Sequence, residues 1–335
     1  MNRSVTVEVQ PNLALVKYWG KKNRGINIPA TSSLGITLEG LSTRTTLSLE
    51  NADNGGPRIS INGESQPSSR FSAFFDNAVR VLSSAANDRE LFPVLSGKFN
   101  SLSVDSVNSF PTAAGLASSS SGLGALAYGL DALLETGLSR KDLSAMARTG
   151  SGSAARTLYG GFIEFREGAK FAEQIADHDY WPDFRVILLT VSAETKKTSS
   201  RSGMNAVKGS SPYFPAWVKD SRSLFKEMRS AVLSKDIEKT GTIARLSYMR
   251  MFSTMFSADP PLIYWQPESV RLIHALAKLR SQGIGVWETM DAGPQVKVIC
   301  EKNAVDSLLS AFQNHPTPPI ILTAGKGPEV VEKWK

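Results

Sequence analysis

A serine-rich stretch, FPTAAGLASSSSGLGALAYGL at 110–130, combines the features of a phosphate-binding loop. Gly115 lets backbone approach a ligand closely, and a helix starting at the serines would aim free N–H groups and its positive dipole end at an anion. The hydroxyls add donors, and a serine oxygen can ligate Mg²⁺ carried by a nucleotide. The stretch therefore predicts a phosphate cradle, although a helix cap without a ligand would account for one or two of the serines.

Three other segments carry candidate chemistry. TGSGSAAR at 149–156 is a second Gly-Ser loop, and its Arg156 could bind a carboxylate or phosphate through two hydrogen bonds, unless the segment is an ordinary linker. KKTSSRSGM at 196–204 is basic and hydroxyl-rich but, taken alone, typical of a solvated loop. Asp291 in TMDAGPQ is either a turn aspartate bonded to its own backbone or a general base near the phosphate loop.

Two common nucleotide motifs are excluded. The sequence has no G-x-x-x-x-G-K-[ST], so it does not belong to the usual P-loop class. GLGALA at 122–127 matches G-x-G-x-x-A, but it lies inside a helical pattern and not at a strand-to-helix turn. We interpret that match as chance.

Alternating strands and amphipathic helices must position these residues. Val5, Val7 and Val9 share one face of a strand in a β-rich start, and a helix is predicted over 69–85. A helix follows the serines with Gly137 at its end, and SRKD at 139–142 has the form of a capping box. The later segments are predicted to form a strand at 185–192, helices at 213–257 and 268–282, two strands around the D-A-G-P turn within 284–300, a helix at 303–314, and the strand PIILTA. This order predicts an α+β lobe of two layers.

Composition narrows the class of protein. The chain has 335 residues, room for about two domains, with 41% hydrophobic and 21% charged residues. Its net charge of +7 is spread out, with no run of five Lys or Arg, which favours a small polyanionic ligand over a nucleic-acid partner. One cysteine and three scattered histidines argue against disulfide and zinc chemistry. Without a membrane-spanning stretch or a secretory h-region, we expect a soluble cytoplasmic protein that does not contact the membrane.

Six segments, taken together, resemble the mevalonate diphosphate decarboxylase family. They occur in the family's order and approximate spacing: NLALVKYWGK at 12–21, IPATSSLGITL at 28–38, FPTAAGLASS at 110–119, GSGSAARTLYGGF at 150–162, TKKTSSRSGM at 195–204 and MDAGP at 290–294. The family is part of the GHMP superfamily of small-molecule kinases. The resemblance implies ATP-dependent decarboxylation of mevalonate 5-diphosphate to isopentenyl diphosphate, with ADP, phosphate and CO₂ released.

The resemblance also implies an α+β fold of two lobes with the active site in the cleft between them. An ATP-binding lobe like domain 2 of ribosomal protein S5 would cover 1–184, and a ferredoxin-like α+β lobe would cover 185–335. Homodimers are expected from the same resemblance.

Site residues follow from the positions that match the family's motifs. Asp291 matches the acid that meets the substrate's 3-hydroxyl, Arg156 the residue that holds its carboxylate, and Lys17 a lysine at the reaction centre. Positions around the substrate and its phosphates are matched by Tyr18, Lys21, Ser151, Ser153, Ser200, Arg201 and Met204. The loop for the ATP phosphates is matched by Pro111, Ala113, Ala114, Gly115, Leu116, Ala117, Ser118 and Ser119, with Ser119 also a candidate contact for the Mg²⁺ of Mg-ATP.

The sequence departs from the family pattern at three places. LSYMRMFSTMFSADPP at 246–261 replaces a segment that usually holds an acid and a histidine, which predicts an altered substrate-side wall. Ser120 and Ser121 stand where alanines are common, and Gln295 replaces a usual Asn.

Two related activities therefore remain open: decarboxylation of mevalonate 5-phosphate, and phosphorylation of the 3-hydroxyl without decarboxylation. Retention of Lys17, Arg156 and Asp291 argues against the kinase. A nucleic-acid or phosphopeptide binding module is the alternative from another class, suggested by the basic charge and the Ser-Gly loops.

Overall fold

Two β-sheets and the helices that pack on them make up an α+β structure, as the sequence predicts. The computed structural model describes residues 3–22, 26–50, 56–85, 99–110, 118–192, 194 and 198–334. No helix within these ranges is both long and apolar enough to span a bilayer.

The first sheet has six strands in the order β14-β1-β4-β7-β5-β6. Its strands are β1 Ser4–Val9, β4 Thr43–Leu49, β5 Arg58–Ile61, β6 Glu64–Gln66, β7 Leu102–Asn108 and β14 Glu329–Trp334. Val5, Val7 and Val9 are all fully buried on one face of β1, which confirms the predicted alternation. They share a core with apolar side chains of the helices that cover this sheet.

The second sheet joins strands from both halves of the chain. It runs β11-β12-β10-β13-β3-β8-β9, with β2 paired to β3 off this path. The bounds are β2 Asn12–Val16, β3 Ser33–Glu39, β8 Phe162–Phe165, β9 Glu173–Ala176, β10 Phe184–Leu189, β11 Val286–Thr289, β12 Val296–Glu301 and β13 Ile320–Ala324. Because β13 pairs with both β10 and β3, it connects the early strands to the late ones.

The helices lie close to their predicted positions, with two exceptions. Their bounds are α1 Ser72–Ala85, α2 Ser118–Leu134, α3 Arg140–Gly150, α4 Ser200–Ser210, α5 Phe214–Leu233, α6 Ile237–Phe256, α7 Pro267–Ser281 and α8 Val305–Ala311. The single helix expected over 213–257 is two, because Lys235 takes a φ of 53° and Asp236 caps α6 through the Lys239 N–H at 2.9 Å. The solvated loop expected over 196–204 is wrong from Ser200 onward, where α4 begins behind the cap Ser199.

The last strand returns to the start of the chain. Strand β14 pairs antiparallel with β1, and sequence reasoning did not foresee it. The pairing places the end of the 185–335 segment in the same sheet as residues of the 1–184 segment. The division of the chain into these two lobes stays a prediction.

A buried ion cluster holds β11 against α6 and α7. Glu288 in β11 is fully buried, and its carboxylate accepts hydrogen bonds from Arg245 at 2.5 Å, Arg280 at 3.0 Å and the Tyr248 hydroxyl at 3.2 Å. A buried carboxylate is tolerated only when it is paired in this way. Since β11 leads directly into the turn with Asp291, the cluster also anchors the candidate site.

Replacing Glu288 by Ala should lower the free energy of unfolding by about 3 kcal/mol, since it leaves two arginines without their buried partner. The matched control is Asp220→Ala, because Asp220 pairs with Arg250 at 2.5 Å while about two fifths of each side chain is exposed. That control should cost about 1 kcal/mol or less. Urea unfolding of both variants checks the difference, and equal losses would contradict it.

Candidate active site

The carboxylate of Asp291 lies between two lysines. Asp291 follows β11, Lys17 comes directly after β2, and Lys297 belongs to β12. Lys17 Nζ is 2.9 Å from Asp291 Oδ1, and Lys297 Nζ is 3.2 Å from Oδ2. The lysine side chains are 1% and 5% exposed, whereas 27% of the Asp291 side chain is exposed. The carboxylate is thus held from inside the protein and remains accessible to a ligand.

The charges within this cluster determine the protonation states of Asp291 and Lys17. Burial alone would raise the pKa of Asp291, but the ammonium groups of Lys17 and Lys297 outweigh it and hold that pKa well below its usual range. Burial lowers the pKa of Lys17 to about 8, although Asp291 opposes the shift. At neutral pH Asp291 is therefore an anion, and Lys17 is a cation close to its titration point.

Lys17 is oriented by its neighbours as well as by Asp291. Its ammonium donates to the Ala14 carbonyl at 2.6 Å, and its backbone N–H donates to the Ser247 hydroxyl at 3.0 Å. Ser247 lies on α6, within the segment that departs from the family pattern. Tyr248 and Met251 of that segment are buried in a core with Trp19.

Arg156 is fixed by two hydrogen bonds near this cluster. It lies in the 3₁₀ helix Gly152–Leu158, with 2% exposure, where Nε donates to Asn12 Oδ1 at 3.0 Å and Nη1 donates to Ser33 Oγ at 2.6 Å. A Cβ at Gly35 would lie 2.7 Å from the Leu13 carbonyl oxygen and 3.0 Å from Arg156 Nε, so only glycine fits there. Burial lowers the pKa of Arg156 to about 10, and the negative charge of Asp291 opposes this shift.

A second basic group surrounds Tyr18. Burial raises the pKa of the Tyr18 hydroxyl, and Arg156, Arg148 and Arg201 all oppose that shift. The hydroxyl donates to the Asn27 carbonyl at 3.1 Å. Lys21 is buried, and desolvation together with the charge of Arg201 lowers its pKa to about 8. Lys21 and Arg201 thus form a cationic pair near Tyr18, which suits a polyanionic ligand.

The remaining predicted substrate residues lie around the same group. Arg201, in α4, donates to the Gly150 carbonyl at the end of α3. The Gly-Ser loop predicted over 149–156 is instead helical on both sides of Ser151, with α3 ending at Gly150 and the 3₁₀ helix starting at Gly152. The hydroxyls of Ser151 and Ser153 are 3.2 Å apart. Ser200 is half-buried at the start of α4, and Met204 is 8% exposed in the core that contains Trp19.

The four serines divide into two pairs. Helix α2 begins at Ser118, as expected, and the Ser119 side chain is exposed. Ser120 and Ser121 are fully buried, and the Ser121 hydroxyl lies 2.6 Å from the Thr43 hydroxyl of β4. The second pair therefore serves packing against the first sheet. The loop positions Pro111, Ala113, Ala114, Gly115, Leu116 and Ala117 lie outside the described residues.

Sequence reasoning missed several residues of the site. Lys297 stands in the strand-like run VKVIC, where a single lysine among apolar residues was a readable signal. Asn12, Ser33 and Ser247 gave no such signal, because short polar residues are common at strand ends and helix surfaces. Their roles depend on contacts between distant segments.

Comparison with known sequences decides the family. The model for the diphosphomevalonate decarboxylase-like N-terminal domain matches residues 9–176, and that for the mevalonate 5-diphosphate decarboxylase C-terminal domain matches residues 186–330. The chain belongs to the diphosphomevalonate decarboxylase family. The diphosphomevalonate decarboxylase of Homo sapiens is 33% identical over 94% of this chain and 81% of its own length.

Solved structures of the family share the fold. MDDEF in complex with MVAPP, AMPPCP and magnesium superposes with a TM-score of 0.87 at 32% identity, covering 99% of this chain and 100% of that one. The mevalonate diphosphate decarboxylase from Enterococcus faecalis gives a TM-score of 0.85 at 32% identity, with the same coverage. The expected α+β fold of two lobes, of the GHMP kinase type, is thereby confirmed.

We expect Lys17 to lose its proton near pH 8, because burial removes the water that stabilises its charge. Asp291→Asn should lower this pKa further, since the Asp291 anion favours the charged lysine. The measurement is ¹³C NMR titration of lysine-labelled protein, with the signal assigned by its loss in Lys17→Met. A Lys17 that keeps its proton up to about pH 10, the ordinary lysine range, would contradict the account.

Proposed function

We propose that this protein catalyses the ATP-dependent decarboxylation of mevalonate 5-diphosphate to isopentenyl diphosphate, with release of ADP, phosphate and CO₂. The observation that carries the proposal is the Asp291 carboxylate bonded to Lys17 at 2.9 Å and electrostatically coupled to Arg156, in a chain of the diphosphomevalonate decarboxylase family. In the proposed reaction, Asp291 is the acceptor for a hydroxyl, Lys17 the cation for a phosphoryl group and Arg156 the holder of a carboxylate.

The reaction explains why these three side chains are needed together. A tertiary hydroxyl is a poor leaving group, so ATP first phosphorylates it. The C–O bond then breaks, and phosphate departs with the electron pair. The adjacent carboxylate leaves as CO₂, and the electrons of its C–C bond form the alkene. Arg156 holds the carboxylate in line with the breaking C–O bond, which is a positioning role.

Asp291 and Lys17 act on the phosphorylation step. The anionic Asp291 accepts a hydrogen bond from the 3-hydroxyl and aims its oxygen at the γ-phosphorus. Lys17 offsets the negative charge that develops on the transferring phosphoryl group. Because the pKa of Asp291 is depressed, the carboxylate orients the hydroxyl throughout the approach and takes its proton only late, as the new O–P bond forms.

The cationic pair near Tyr18, Lys21 and Arg201, receives the substrate's phosphates. Lys21 and Arg201 supply charge, and the hydroxyls of Tyr18, Ser151, Ser153 and Ser200 supply further donors. Met204 limits the pocket on its apolar side. This set of residues matches a doubly phosphorylated substrate better than a neutral one.

The start of α2 receives ATP. Free N–H groups at a helix N-terminus bind phosphates, and Ser118 and Ser119 open this helix after the loop 111–117. The exposed Ser119 hydroxyl fits a contact to Mg²⁺, which when bound neutralises charge on the nucleotide phosphates.

We further infer a cytoplasmic homodimer with one ATP-binding lobe over 1–184 and a second lobe over 185–335. The only cysteine, Cys300, is free and buried, as suits a reducing compartment. Leu246, Met249 and Phe256 are exposed along one face of α6, a surface of the kind that subunits bury.

Purified protein given ATP, Mg²⁺ and mevalonate 5-diphosphate should release CO₂ and ADP in equal amounts. Each product is measured with mevalonate 5-diphosphate and, in parallel, with mevalonate 5-phosphate; a reaction without either substrate is the blank. CO₂ from the monophosphate alone would identify a phosphomevalonate decarboxylase. ADP without CO₂ would identify a kinase, and either result would overturn the proposal.

A further inference from the structure

Lys297 is a buried cation that the proposed reaction does not yet use. It lies in β12 between Val296 and Val298, which are fully buried, and is itself 4% exposed. Moving a lysine out of water is costly unless an anion compensates it. A buried lysine at this position therefore indicates that its charge has a structural or functional role.

The partner of that charge is the second oxygen of Asp291. Lys297 Nζ lies 3.2 Å from Oδ2, whereas Lys17 occupies Oδ1. Lys297 is also paired in register with Thr289, at the end of β11, so both ends of the Asp291 turn are held by one hairpin. Each carboxylate oxygen thereby has its own cation, and the two cations come from different strands.

We propose that Lys297 is a positioning residue for the reaction: by holding Oδ2 it fixes the rotation of the Asp291 carboxylate toward the substrate hydroxyl and keeps it ionised when an anionic substrate binds. This inference rests on the proposed function.

The charge balance of the site supports this role. Lys17 from the end of β2 and Lys297 from β12 bond Asp291, and the charge of Arg156 from the 3₁₀ helix also interacts with it. A substrate with a carboxylate and phosphates brings several negative charges, which attract Lys17 and Arg156. Lys297 holds Oδ2, the oxygen that Lys17 does not contact, so it can keep the carboxylate anionic after the other two cations turn to the substrate.

The test compares Lys297→Met with Lys297→Arg and with Lys302→Met, an exposed lysine just after β12. We expect Lys297→Met to lower kcat about 10-fold to 100-fold, because misplacing a catalytic group has an effect of this size. The KM of this variant for ATP should be nearly unchanged. The acid limb of its kcat profile should move to higher pH, because Asp291 protonates more easily with one cation fewer. The Arg variant should recover most of kcat, and Lys302→Met should behave as the wild type.

A second readout does not depend on turnover. In protein labelled with ¹³C at the aspartate carboxyl carbons, the Asp291 signal is assigned by its loss in Asp291→Asn. Without substrate, Lys297→Met should raise the pKa of that signal relative to wild type; Lys297→Gln provides a second neutral variant in case the first does not fold. An unshifted Asp291 pKa in both, or an unchanged acid limb, would overturn the inference. If the wild type releases no CO₂ but the NMR shift appears, the proposed function fails and the Lys297–Asp291 coupling stands.

Discussion

One ionised carboxylate, Asp291, sets the electrostatics of this protein's site. An anion among buried groups is stable only beside cations, and the cations here are themselves buried and need the anion. Lys17, at the end of β2, and Lys297, in β12, meet that need on Oδ1 and Oδ2. Removing Asp291 would leave two buried ammonium groups without an anion, and removing either lysine would leave one carboxylate oxygen without its cation.

The strand order of the second sheet brings the two lysines of this cluster to the same carboxylate. Lys17 follows β2, while Lys297 lies in β12, and the strands between them are β3, β13 and β10. Strand β13 bonds to both β3 and β10, so it fixes the distance between early and late segments of the chain. The Glu288 cluster holds β11 behind the Asp291 turn. The site is therefore as rigid as the sheet on which it stands.

Much of the fold and of the candidate site could be predicted from the sequence. The contacts that could not be predicted depend on how distant segments pair in the fold. Strand alternation at Val5, Val7 and Val9 and the helix start at Ser118 are local patterns, and the structure has both. The grouping of Lys17, Arg156 and Asp291 came from the family resemblance. The partnership of Lys297 with Asp291 could not be derived, because it depends on strand pairing. Likewise the buried contact between the Ser121 and Thr43 hydroxyls explains one of the four serines only once β4 lies beside α2.

Family membership and site chemistry together lead to a single central claim: the Asp291 anion orients the hydroxyl for phosphorylation, and nothing downstream occurs without it. The most direct test is a single turnover of Asp291→Asn with ATP, Mg²⁺ and mevalonate 5-diphosphate. Nucleotide affinity is measured on the same variant with the substrate present. The account predicts nearly unchanged nucleotide affinity and neither ADP, phosphorylated product nor CO₂. Normal formation of ADP and CO₂ by this variant would contradict it.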